Sequence, residues 1–383
     1  MTFREVYQRK KFALIIAAVL FGLVLATGLI SSRNAHRKPL SPAPAEFTRR
    51  PGPDAIPRSA KAEAVFLIHT AFQVMRAHPV TSRQRLEELR KSLENMDPKD
   101  ASRAIRDFLD SKADAPSHLG FKIGAEGFLS ASPSLRVFLL DYLGQIDPKA
   151  AAAYAKTILA TMDSPDEWAI ALRNCAETDV SPEGRSFVEQ KLEEMWKHEP
   201  WIREPSVGFL EAFDGAVHLG GTNLIIPLTT LLAMTNNQAV SHAAYLTLDR
   251  LTILDAENIL AVLDQNPDLM RGRELTRANY FARADVRETR QRDLLESYLL
   301  NPSRDANELM KFASLYPNAN FMVSHNLMTR SLTPDHAWIA ARDAEALRVV
   351  ERWIQDSRFE RVRPHLHMIQ RRLEMFDGQA VRR

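Results

Sequence analysis

Cysteine is almost missing: Cys175 stands alone in 383 residues. One thiol excludes an intrachain disulfide and any metal site built on several thiolates. It follows Ala171 by four residues and Trp168 by seven, on an apolar helical face. That placement predicts a buried, inert thiol. The short motifs that mark many enzymes are missing as well. There is no G-x-S-x-G, H-E-x-x-H, P-loop or G-x-G-x-x-G. No catalytic residue, cofactor-binding residue or metal ligand is therefore assigned, and catalysis is not expected. A dominant charge is lacking too, since 50 Lys and Arg against 48 Asp and Glu leave +2. Nothing global points to nucleic acid or to an acidic partner. Hydrophobic residues make up 45% and charged residues 26%, enough to bury a core.

Charge is also absent, locally, from Phe12 to Ile30. A run of that length spans most of a bilayer's hydrocarbon core. Arg4, Arg9, Lys10 and Lys11 precede it, and Ala26-Thr27-Gly28 is a poor cleavage site. The expectation is a basic N-terminus over 1–11 and an uncleaved signal-anchor over 12–31. Arg33, Arg37 and Lys38 follow the span, so the positive-inside rule nearly cancels. The short basic N-terminus favours an N-in anchor, which places the bulk of the chain outside the cytoplasm. Ala18, Gly22 and Ala26 form a small-xxx-small stripe on which two such helices could self-associate. Over 32–59 the chain carries prolines at 39, 42, 44, 51, 53 and 57 and no apolar period. It reads as a semi-stiff tether of about 3.1 Å per residue.

From residue 60 onward the pattern is helical. Val65, Ile68, Phe72 and Met75 step by 3, 4 and 3, and Leu86, Leu89, Leu93 and Met96 repeat it. Each set is one apolar stripe, and the short break between them predicts an antiparallel hairpin. Helix starts are marked by a capping residue followed by proline, which has no N–H to lose. The pairs are Asp97-Pro98, Ser132-Pro133, Asp147-Pro148, Ser164-Pro165, Ser181-Pro182, Asn266-Pro267, Asn301-Pro302 and Thr333-Pro334. Ser164 and Glu167 suit a capping box. Residues 113–131 read as a loop and a short helix. The stretch 199–223, broken by Pro200, Pro205, Gly215, Gly220 and Gly221, reads as a sub-boundary. Leu224 to Leu228 is ambiguous between strand and helix. Phe359, Val362, Leu366, Ile369, Leu373 and Phe376 form a last stripe that Pro364 kinks or begins.

Asn237 to Leu251, with paired small residues, apolar residues and Asp249-Arg250, resembles a helix of a HEAT-like repeat; Leu139 to Leu143 is a weaker echo. The 32–35-residue step between several starts fits two helices per unit. The resemblance implies an all-α fold for 60–383, an α-solenoid of helical hairpins. It also implies a scaffold or adaptor that binds a protein partner.

Three polar constellations remain. Glu211, Asp214 and His218 share one helical face and would be the acid/base set of an enzyme in a helical fold. Arg273, Arg277, Arg283, Arg287 and Arg290 fall within the Arg-rich segment 271–292 and would form a ridge for an anionic ligand. His365 and His367 point too far apart on a helix to chelate one ion.

Overall fold

The capping chemistry in the sequence decides where most helices begin. In the computed structural model, which describes residues 60–333 and 335–380, Asp97, Asp147, Ser164 and Ser181 each accept a hydrogen bond from a first-turn N–H. A cap of this kind is worth about 1 kcal/mol. These residues open α3 (Pro98–Asp110), α5 (Pro148–Ile158), α6 (Pro165–Thr178) and α7 (Pro182–Lys197). Before them lie α1 (Ala60–Ala77) and α2 (Ser82–Glu94), and between them α4 (Leu135–Ile146).

Elsewhere proline marks the turn and a later residue caps. Ser134, not Ser132, caps α4, accepting from Val137 N–H. Asn301-Pro302 is a turn, and Asp305 caps α16 (Ala306–Leu315). Asp335 caps α17 (His336–Gln355) one residue beyond Pro334, which lies outside the described residues. Asn266-Pro267 opens only a 3-10 turn, Pro267–Met270. At α4 and α16 the free N–H groups of the first turn are taken up by the next Ser or Asp, whereas Glu274–Phe281 after Asn266-Pro267 has no side-chain cap. The capping box is also incomplete: Ser164 accepts from Glu167 N–H, but the Glu167 carboxylate turns away to Arg136.

The short helix expected within 113–131 is instead a two-stranded antiparallel hairpin, β1 (Lys122–Ile123) and β2 (Leu129–Ala131). Gly127 at its tip has φ +80°, a conformation that L side chains rarely adopt. The stretch 199–223 contains three short helices, α8 (Glu199–Arg203), α9 (Val207–Glu211) and α10 (Asp214–Leu219). It lies inside one compact unit that holds all the described residues. The ambiguous run becomes α11 (Ile225–Leu232), with Pro227 in its first turns. There follow α12 (Gln238–Leu254), α13 (Ala256–Gln265), α14 (Glu274–Phe281) and α15 (Thr289–Leu300). After α16 and α17 comes α18 (Arg363–Ala380), preceded by a 3-10 turn, Ser357–Val362.

The fold is mainly helical. The predicted stripes are its core: Ile68, Phe72, Met75, Leu86, Leu89, Leu93, Val240, Ala244, Leu248, Leu251, Leu366 and Ile369 are all buried. Phe376 lies outside the described side chains. Alternate helices are neighbours, α12 on α14, α14 on α16 and α16 on α18, while α13 packs on α15. On the N-terminal side α1 packs on α3, and α4 on α6. The expected anchor Phe12 to Ile30 and its tether also lie outside the described residues. Among those described, no helix is long and apolar enough to cross a membrane.

Buried ion pairs tie the alternate helices together. Arg136 on α4 forks onto Glu167 on α6 at 2.8 and 2.9 Å. Arg173 on α6 returns to Asp141 on α4 at 2.6 Å. Arg250 on α12 reaches Asp214 on α10, and Asp249 beside it holds Arg283 beyond α14. Arg277 on α14 forks onto Glu308 on α16 at 2.8 and 2.7 Å. Forked guanidinium–carboxylate contacts fix the relative register of two helices as well as their proximity.

Candidate functional site

Residues 317–333, between α16 and α17, have no helix or strand and carry much of the molecule's polar chemistry. At their start Asn318 is buried. Its N–H donates to Ala282 O at 2.7 Å, and its Nδ2 donates to Asn279 Oδ1 at 3.2 Å. Its carbonyl accepts from Arg283 and Arg342 at 3.3 and 3.2 Å. Asn279 in turn donates to Asp249, and burial pushes the Asp249 carboxyl up despite Arg283 beside it.

A recess of about 380 Å³ opens beside this knot. The end of α12, the loop 282–288, Phe321 and the first turns of α17 form its walls. Arg283 lies over the Phe321 ring, while Arg287 and Arg342 both lie over the Trp338 indole at 5.2 and 5.1 Å. A guanidinium over a ring face is attracted by the ring quadrupole. Of its lining, Leu254 and Trp338 are exposed, and exposed Met322 and Val323 follow Phe321 in the chain. Aromatic, Met and Arg side chains are the types enriched in protein interfaces.

Arg283 and Arg287 are thus part of a site, but the five arginines do not form a ridge. Arg277 is buried on Glu308, Arg283 forks onto Asp249, Arg287 onto Asp285, and Arg290 pairs with Glu257. Arg273 donates to the Met234 carbonyl at 3.3 Å. Three of those acids, Asp249, Glu257 and Glu308, arrive from α12, α13 and α16, outside the segment.

The acid and histidine trio is divided in the same way. Asp214 is buried, and its oxygens are engaged. Oδ2 accepts from the N–H groups of Met328 and Thr329 at 2.6 and 2.8 Å; Oδ1 accepts from Thr329 Oγ1 and Arg250, each at 2.6 Å. Burial, then Asp214, push the half-buried Glu211 carboxyl up. His218 lies on α10, three residues after Gly215, and takes no part in the contacts of Asp214. Among the described residues no group of three or more His, Cys, Asp or Glu could hold a metal ion. His365 is partly buried, its pKa lowered by that burial and by Arg361, whereas His367 contacts Gln370. Cys175 is buried on α6 and its thiol is pushed up to about 11 by that burial.

Sequence periodicity could not find Trp338, Phe321, Asn318 or Arg342 as a group. The only local signal is Tyr316-Pro317-Asn318-Ala319-Asn320, a turn-forming run that says where the chain leaves α16 but not what it meets. Comparison with protein-family models, curated proteins and solved structures finds no match to this chain.

Proposed function

We propose that the protein is a membrane-anchored scaffold or adaptor, with HEAT-like helical hairpins forming an α-solenoid that binds a protein partner. The observation that carries this reading is the Trp338 recess. Two aromatic rings under arginines, Phe321 and Trp338, and the exposed Leu254 meet in one recess. Such anchors supply most of the binding energy in protein interfaces. The pairing of alternate helices, tied by ion pairs 31 to 36 residues apart, supports the repeat reading. Phe12 to Ile30 supports the anchor, and the short basic N-terminus supports a chain exposed outside the cytoplasm.

The anionic-ligand reading of 271–292 has weaker support, because five of the segment's seven guanidinium groups already hold carboxylates. The test is affinity capture with the detergent-solubilised full chain, at low and high salt, beside Trp338→Ala. A protein retained at high salt by the parent and lost in the variant supports the scaffold. Equal capture by both, or recovery only of lipid or nucleic acid at low salt, overturns it. Protease protection of intact membrane vesicles checks the orientation.

A further inference from the structure

The long segment 317–333 returns far back along the chain. Thr329 reaches a residue 115 positions earlier, and Leu327 meets the β-hairpin tip. Between Asn318 and Asp335, Leu327 is the only described residue that is fully buried. Met322, Val323, His325 and Arg330 are exposed, and their neighbours are mostly half-exposed. The segment is therefore a strap pinned at two points, Asn318 and Leu327 to Thr329, with little packing elsewhere.

The second pin has the form of a peptide-binding seat. Asp214 accepts two consecutive backbone N–H groups, a contact that any extended chain can make. One hydroxyl is read by Asp214 and Arg250 together. One apolar side chain, Leu327, is fully buried, and its backbone lies against Gly127: a Cβ on Gly127 would lie 2.6 Å from Leu327 O. The seat is prepared from below. Asp214 is held by Arg250, and the Gly127 carbonyl accepts from the fully buried Arg173 at 3.0 Å. Backbone contacts that give affinity and one or two side-chain pockets that give selectivity are how grooves bind extended peptides.

We infer that this seat is a second binding site, distinct from the Trp338 recess, for an extended protein segment carrying Leu-x-Thr, and that the chain's own Leu327-Met328-Thr329 fills it as a tethered competitor. Tethering gives the resident segment an effective concentration near millimolar. An incoming segment wins when it is itself delivered locally, for example by a partner already docked at the recess. The inference extends the partner-binding reading but does not need the recess to be its entry point.

The probe is a fluorescent peptide copying Ser324 to Arg330, titrated into the solubilised full chain. The parent is expected to bind weakly. Leu327→Ala/Thr329→Ala weakens the strap and leaves the seat, and is expected to tighten peptide binding by about a hundredfold. Adding Asp214→Asn, which swaps an acceptor oxygen for a donor, is expected to abolish that gain. Tryptic cleavage at the exposed Arg330 should rise in step as the strap leaves. A folded strap variant that gains no peptide affinity, or a gain that survives Asp214→Asn, overturns the inference. If the strap variant does not fold, the parent decides: no rise in Arg330 cleavage at millimolar peptide also overturns it. Loss of partner capture in Trp338→Ala with peptide binding intact separates the two sites.

Discussion

Asp214 and Thr329 are bound to each other by two hydrogen bonds, Thr329 N–H to Oδ2 at 2.8 Å and Thr329 Oγ1 to Oδ1 at 2.6 Å. The contact ties a short helix in the middle of the fold to a segment that follows α16. Removing each side has a different expected result. Thr329→Val keeps the shape and loses the hydroxyl, at about 1 kcal/mol. Asp214→Ala leaves the half-buried Arg250 without its carboxylate and two strap N–H groups without an acceptor, at about 3–5 kcal/mol. Urea unfolding of both variants measures the difference. Amide exchange at Met328 should accelerate in Asp214→Ala and change little in Thr329→Val.

Gly127 and Gly120 separate backbone strain from lost contact. Both have positive φ, +80° and +73°. An alanine at either position carries a strain of about 1–2 kcal/mol. At Gly120 a Cβ meets nothing within 4 Å, so that strain is the whole expected effect. At Gly127 the Cβ would press on the Leu327 carbonyl, so the strap must lift as well. Gly127→Ala should therefore cost more stability and expose Arg330 to trypsin, while Gly120→Ala leaves the cleavage unchanged.

Arg277 and Glu308 are not equal partners. Glu308 is fully buried and faces Arg277 at 2.7 Å and Arg304 at 4.0 Å. Burial, then Arg277, already lower the Arg304 pKa. Glu308→Leu strands the buried Arg277 and leaves Arg304 with Asp264 alone, at 3.5 Å, and should cost more than Arg277→Met, each loss being of the order of 3–5 kcal/mol. The double variant should recover part of the loss, because Arg277 is then no longer a buried cation without its carboxylate. A double-mutant cycle by denaturant melts gives the coupling.

Glu211 carries a pH signature. Burial, then Asp214, raise its carboxyl above the ordinary 4.5, with Arg250 only partly offsetting them. The native state holds that proton more tightly than the unfolded chain does. Its stabilising contribution is thus complete below the unfolded value, about 4.3, and lost as pH rises through the higher folded value. Glu211→Gln removes the ionisation. It should raise Tm at pH 7 and leave Tm at pH 4 unchanged. An equal shift at both pH values would show that the effect is not ionisation.

Local chemistry was legible where one residue and its near neighbours suffice. The stripes Ile68-Phe72-Met75 and Leu86-Leu89-Leu93 are buried as their spacing requires, because helical periodicity is a local property. Asp97, Asp147, Ser164 and Ser181 cap helices because the free N–H groups they serve lie two or three residues on. Asp249 and Arg250 mark the limit. The sequence singles out the pair, yet nothing in it says that one binds Arg283 ahead and the other Asp214 behind.

Tertiary structure alone decided the partners of charge and the path of the strap. A guanidinium takes whichever carboxylate the packing brings within reach, and for Arg277 that is 31 residues away. Residues 317–333 have no apolar period, so their course is set by where Asn318 and Thr329 find polar partners after the helices have packed. Periodicity and capping depend on spacing along the chain and were readable there. Ion pairs and the recess depend on distances through space, which exist only once the helices lie against one another.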